Sequence, residues 1–142
     1  MSEQVERAKV VKEARSWIGT PYHPHGRIKG VGVDCAMLPA EVYEACGLIN
    51  RIDAGNYAMD WHLHRSEEKY LEVVLAHAKE TDRPDPGNFI LFKWGRCFAH
   101  GGIVTQWPLM VNAINGIGVV EQDALGGRFT GREFRLYTLW GE

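Results

Sequence analysis

Apolar and polar positions along this chain follow two different periods, and the change from one to the other divides it. Near the start, Val10, Val11, Ala14, Trp17 and Ile18 recur at helical spacing within a charged stretch. That is the stripe of an amphipathic helix, predicted over residues 4–17. A second apolar run opens at Cys35 and reaches Cys46, where Gly47 supplies the residue that commonly follows a helix end. It predicts a helix over residues 35–46, and residues 67–79 read as a third. From Phe89 onward the runs are short, aromatic or β-branched, and set off by turn residues. Asp85-Pro86-Gly87 precedes the run from Phe89 to Trp94; a second run begins at His100 and continues through Ile103 and Val104; a third covers Leu109 to Ile114. Three to five strands are predicted, the first two joined as a hairpin across Gly95-Arg96-Cys97 and the next joined through Gln106-Trp107-Pro108. Helices first and strands afterwards favour an α+β fold, with the N-terminal helices packed on an antiparallel sheet.

Composition narrows the picture. The chain has 142 residues, enough to bury a sizeable core without staples, and no linker or repeat divides it, so residues 1–142 read as a single domain. Hydrophobic residues make up 45% and charged residues 24%, with a net charge of -2; no basic tract suggests a nucleic-acid partner. No run approaches the roughly 18 to 20 apolar residues of a membrane span. Residues 1–14 carry Glu3, Glu6, Arg7, Lys9, Lys12 and Glu13, a pattern without the apolar centre of a secretory signal, and the chain is expected to be made in the cytosol. Three widely spaced cysteines fit free thiols better than a disulfide framework.

Candidate chemistry centres on Gly32-Val33-Asp34-Cys35. Asp34 is a good N-cap residue and reads as a cap rather than an acid. A cysteine beside it stands where unpaired amides and the helix dipole favour a thiolate. Gly26, Gly30 and Gly32, with Lys29 among them, make a flexible approach that a substrate could meet closely. Pro39 constrains the picture: with Cys35 as first helical residue, the proline ring meets the Cys35 carbonyl, so the cap is Cys35 itself or the first turn is distorted. A free cysteine is usually inert packing, as expected for Cys46. Cys35 differs in having a partner candidate, His100, and a polar residue in an apolar strand, Asn112, that could approach it on one face of neighbouring antiparallel strands. A cysteine, a histidine and a polar orienting residue are the parts of an activated thiol nucleophile. Gln122 and Asn115 are the next candidates for the orienting role.

In order and spacing, Gly19-Thr20-Pro21-Tyr22, Asp34-Cys35, Asp85-Pro86-Gly87, His100 with Ile103-Val104, and Asn112-Ala113 resemble the NlpC/P60 cysteine peptidases, cell-wall endopeptidases of the papain-like class. The likeness runs from about Ala8 to about Tyr137, and residues 60–71 resemble an insert of the phage branch associated with tail assembly. The resemblance implies a papain-like NlpC/P60 fold, Cys35 as nucleophile, His100 as base, Asn112 where many members carry a second histidine, and Tyr22 as an oxyanion contact. It implies no cofactor, a peptidoglycan stem peptide as substrate, such as a D-glutamyl bond to a diamino acid, and phage tail-tip proteins as partners, which would place the chain in the virion tail. The pattern departs from the family at Ala36 and Met37, where Ser-Gly is usual, at Pro39, and at Asn88, where Asp is usual.

Other features have plainer readings. His25, between Tyr22 and Cys35, reads as a substrate-side residue or as a solvated loop histidine. His23 and His25 with His62 and His64 form two His-x-His pairs, but without paired cysteines the spacing does not make a zinc site, and no metal is expected. Trp61, Trp94, Trp107 and Trp140 read as packing. Two rival classes remain: a thiol amidase or acyltransferase on the same scaffold, and a non-catalytic tail-assembly or cell-wall binding module in which Met37 and Pro39 spoil the helix mouth.

Overall fold

The computed structural model of the chain describes residues 2–50, 75–95 and 97–141. Helix α1 (Glu3–Ser16) begins at Ser2, whose hydroxyl accepts from the Val5 amide at 3.2 Å. Glu3 and Glu6 in the first turn and Arg15 in the last complement the helix dipole. Val10, Ala14 and Trp17 are buried, as the stripe predicts, but Ile18 is 46% exposed, because the helix has already ended at Ser16.

Helix α2 (Met37–Ala45) starts two residues later than the apolar run suggests. Pro39 has no N–H to give the Cys35 carbonyl, so regular helix begins only beyond that gap. The capping is nevertheless done by Asp34. Its Oδ1 accepts from the amides of Ala36 (3.1 Å) and Met37 (2.8 Å), and its carbonyl accepts from Leu38 (3.1 Å). At the other end Gly47 takes φ 76° while its amide bonds Glu44 and that of Leu48 bonds Tyr43. These are the two bonds of a Schellman motif. Cys46 is half-buried against the core.

Two short strands, β1 (Arg27–Ile28) and β2 (Gly32–Val33), pair within the glycine-rich segment that precedes α2. Two glycines there are forced by space. A Cβ on Gly26 would lie 2.6 Å from the Gly32 backbone, and one on Gly32 would lie 2.7 Å from the His23 Cβ. Arg27 bonds the nearly buried Glu41 of α2 at 2.7 Å, and Lys29 bonds Ser16 and Glu13 at the end of α1, so both helices hold this segment.

The main sheet has six antiparallel strands in the order β3 (Lys79–Thr81), β8 (Phe134–Thr138), β4 (Phe89–Trp94), β5 (Cys97–Gln106), β6 (Leu109–Ile114) and β7 (Gly118–Asp123). Five strands therefore follow Phe89. The sequence reading missed β1, β2 and β3, each only two or three residues long. Most of the expected helix over residues 67–79, and the insert-like residues 60–71, lie outside the described residues; Lys79 itself is no helix end but pairs with Thr138 in β3. β4 and β5 pair as the expected hairpin, with Cys97 already in β5 opposite Trp94, and β5 and β6 pair as expected, with Gln106 already opposite Leu109 so that the connection narrows to Trp107-Pro108.

Alternation along β4 assigns the two faces of the sheet. Phe89 and Leu91 join the core under the helices, with Val10, Trp17, Met37, Leu38 and Tyr43. Ile90 and Phe92 join a second cluster with Val104, Met110, Ile114, Leu136 and Phe129. Arg7 ties α1 to the sheet: its guanidinium donates to the Pro86 carbonyl and Asn88 Oδ1, both at 2.8 Å, and to Thr138 Oγ1, and it lies 4.2 Å over the Trp140 ring. Among the described residues, no helix is long and apolar enough to cross a membrane.

Candidate active site

His100 lies within β5 rather than at its start, and a bulge decides which way it faces. Phe92 pairs with His100 but the next residue, Lys93, pairs with Phe98, so Ala99 is an extra residue in β5. Without it, Phe98 and His100 would share a face. With it, Phe98 packs on the helix-side core while His100 stands opposite Phe92 among the second cluster's rings.

The neighbouring strand supplies the partner. Ile103 pairs with Val111, and that register continued by one position sets Gly102 opposite Asn112, two residues from His100 on the same face. A Cβ on Gly102 would lie 3.2 Å from the Asn112 Cβ, so glycine there gives the Asn112 side chain its room. His100 Nε2 and Asn112 Oδ1 are 2.9 Å apart. The Asn112 Nδ2 faces Val120 O at 3.4 Å and Gln122 Oε1 at 3.2 Å. A backbone carbonyl can only accept, so the amide nitrogen belongs on the Val120 side and the oxygen faces histidine. The hydrogen of the neutral imidazole is then on Nε2, and Nδ1 carries the lone pair. Gln122, a fallback for the orienting role in the sequence reading, instead orients the orienting residue.

Aromatic rings enclose the imidazole: Trp94 at 5.0 Å between centroids, Phe129 at 5.6 Å and Phe92 at 6.3 Å. Only 8% of His100 is exposed. Burial pushes its pKa down to about 4; the Asn112 hydrogen bond opposes this, and the Arg128 and Arg132 charges push it lower still. The ring is therefore neutral at pH 7. A neutral ring with its lone pair on Nδ1 can accept a proton.

Cys35 approaches from the turn between β2 and α2, 5% exposed. Asp34 beside it is buried, and burial raises its carboxyl pKa, while the amides of Met37, His25 and Ala36 pull the other way. These three amides bind its two oxygens and fix the turn. His25, at φ 64°, contributes through its backbone N–H, 2.8 Å from Asp34 Oδ2.

Both candidates meet at one cavity of about 340 Å³, lined by Tyr22, Asp34, Cys35, Trp94, His100 and Arg128 together with Pro24 and the end of β6. That volume is near the lower end of ordinary ligand sites. Tyr22, Cys35 and His100 thus share a cleft with Asn112 behind the histidine; His25 is not among the lining residues. His62 and His64 lie outside the described residues, and among those described no cluster of histidine, cysteine and carboxylate ligands could hold a metal. The sequence reading missed Phe129 and Arg128, which come from a 3-10 turn (Gly127–Phe129) far along the chain. Trp94, read as packing, also forms part of the cleft wall. A glycine pair followed by Arg-Phe was the available signal, and it is weak without the fold.

No family model matches the sequence, and no curated protein does either. Among solved structures, the fold matches that of the NlpC/p60 domain of peptidoglycan hydrolase SagA, with a TM-score of 0.61 over 92% of this chain and 97% of that one, at 19% identity. The chain therefore has the α+β NlpC/P60 fold, two helices packed on an antiparallel sheet.

Proposed function

We propose that this chain is a cysteine hydrolase of the NlpC/P60 type that cuts peptidoglycan stem peptides as an endopeptidase. The observation that carries the reading is that Cys35 lines the same cleft as His100, whose Nε2 is held by Asn112. The fold it shares with a peptidoglycan hydrolase domain supports the substrate class. Association with a phage tail rests on the likeness of residues 60–71 alone.

The reaction is acyl transfer. Nδ1 of His100 takes the proton of the Cys35 thiol as sulfur bonds to the peptide carbonyl carbon, and the carbonyl electron pair moves onto oxygen. Asn112 accepts from Nε2–H throughout and stabilises the imidazolium that forms. The oxyanion is held by the Cys35 backbone N–H at the helix mouth and by the Tyr22 hydroxyl. Collapse of the intermediate breaks the C–N bond, and the leaving amine takes the proton from Nδ1. Water then attacks the thioester, giving up its proton through His100, and releases the acid with the thiol restored.

The test is mass spectrometry of fragments released from purified peptidoglycan. The wild-type protein should release cut stem peptides, resist a strong chelator and lose activity to a thiol alkylator, and Cys35→Ala should release none. Release by Cys35→Ala contradicts the proposal. So does loss on chelation restored by zinc, which would promote His23, His25, His62 and His64 to ligands. Peptidoglycan that is bound but uncut would favour a binding module, and released intact stem peptides an amidase.

A further inference from the structure

His100 belongs to a row of side chains that crosses the sheet one strand at a time. The β4–β8 ladder ends with Phe92 opposite Phe134, and the Lys93 amide still donates to the Glu133 carbonyl at 2.9 Å. That register continued by one more position sets Arg132, just before β8, opposite Trp94. Because β4 lies between β8 and β5, Trp94 has Arg132 on one side and His100 on the other. The contacts along the row are close. The Arg132 guanidinium lies 3.8 Å from the Trp94 ring centre, and the Trp94 and His100 rings are 5.0 Å apart with 31° between their planes. The row continues through Asn112 in β6 to Gln122 in β7.

Burial does little to hold Trp94. Trp17 and Trp140 are sunk in the core at 4% and 9% exposure, whereas Trp94 is 36% exposed and lines the cleft. Arg132 supplies the hold that burial does not. Its cation lies over the indole face, and its Nε donates to the Arg128 carbonyl at 3.0 Å, so the guanidinium is itself fixed in place. This matters for the base. The hydrogen bond from Nε2 to Asn112 sets the tautomer, but hydrogen bonds tolerate a broad range of angles, so the tilt of the ring, and with it the direction of Nδ1, needs a second constraint. A stacked indole provides one, and it covers a ring face that water would otherwise reach.

We propose that Trp94, clamped by Arg132, is a positioning residue for the base: it fixes the tilt of the His100 ring and shuts water out at the cleft mouth. Its part in turnover rests on the thiol-hydrolase reading; the shielding of His100 does not. The charged and titratable groups around the imidazole are Arg128 and Arg132 from the segment before β8, and Asp34, Cys35 and Tyr22 across the cleft. β4 and β6 present Phe92, Trp94 and Asn112, which carry no charge. A clamp therefore has to be told apart from a simple charge effect of the two arginines.

Arg132→Lys separates the two, because it keeps the charge but loses the planar stack and the Nε bond. The readout is the titration midpoint of His100, followed by nitrogen-15 NMR, which needs no turnover. Trp94→Ala should raise the midpoint by about one to two pH units as water reaches the ring, and Trp94→Phe, which keeps a smaller ring, by less. Arg132→Lys should raise it by about half the Trp94→Ala shift. Arg128→Gln gives the effect of losing a charge without touching the stack. A midpoint unmoved in Trp94→Ala overturns the shielding. A midpoint unmoved in Arg132→Lys, with equal shifts in Arg132→Gln and Arg128→Gln, overturns the clamp and leaves charge alone. Should Trp94→Ala fail to fold, Trp94→Leu takes its place.

Stem-peptide cleavage tests the positioning role. Trp94→Ala and Arg132→Lys should lower kcat by about tenfold with KM little changed, as expected for a misaligned base, and the acid limb of kcat/KM should follow the NMR midpoint. Unchanged kcat in both variants overturns the positioning role. If the midpoints move but the wild type cuts no peptide, the hydrolase reading fails while the shielding of His100 by Trp94 stands.

Discussion

The two walls of the cleft are held in place by different forces. The Cys35 wall is local and polar: residues 20–37 are fixed by Asp34 with its three amides, by glycines at contact distance, and by ion pairs from Arg27 and Lys29 to the two helices. The His100 wall is assembled from distant segments and is mostly apolar. Phe92, Trp94 and Phe129 enclose the ring, and its one polar tether, Asn112, is itself held by β7. A nucleophile can be placed by turn geometry because its sulfur needs only a position. A base whose proton must sit on one nitrogen needs an oriented partner and a dry pocket, and only a sheet brings those together.

If that division is right, substitutions in the two walls should fail in different ways. The largest effect is catalytic: His100→Ala should lower kcat by about a thousandfold or more, while Asn112→Ala, which loses only the tautomer control, should cost roughly ten- to a hundredfold in kcat with KM little changed. Equal losses would mean that Asn112 does more than orient, and no loss for Asn112→Ala would break the assignment of roles.

Stability should separate the walls next. Phe129→Ala empties the centre of the aromatic cluster and should cost about 3 to 5 kcal/mol in urea unfolding. Asp34→Ala removes a cap and should cost about 1 to 2 kcal/mol. The pH dependence should also differ. The unfolded imidazole of His100 titrates near 6.5 and the folded one near 4, so between these values the unfolded chain binds more protons. Stability from this group is complete above about pH 6.5 and is lost as pH falls toward 4, by an amount on the order of 3 kcal/mol. Phe129→Ala wets the ring enclosure around His100 and should flatten that slope; Asp34→Ala leaves those rings in place and should not.

The same division explains what was legible in the sequence. Asp34-Cys35 could be read because a cap and its helix are neighbours in the chain, and only Pro39 moved the regular start to Met37. The His100–Asn112 pair could be read because one short connection joins their strands. The bulge at Ala99 could not, since nothing in Cys97-Phe98-Ala99-His100 marks an extra residue until β4 is laid beside it. Phe129 and Arg128 were hidden for the same reason: a 3-10 turn before the last strand meets His100 only once β8 has inserted between β3 and β4. Arg7 looked like one more charge on an exposed helix, and its bonds to Asn88 and Thr138 depend on which sheet edge α1 covers.

The central claim is that His100 is a neutral base, hydrogen on Nε2, throughout the pH range in which Cys35 must be activated. Nitrogen-15 NMR of the labelled protein observes both ring nitrogens directly. The account predicts a single Nε2–H tautomer from pH 5 to 8 with protonation only near pH 4, the value set by burial against the Asn112 bond and the two arginines. A ring that protonates near 6.5, or one that carries its hydrogen on Nδ1, would contradict it.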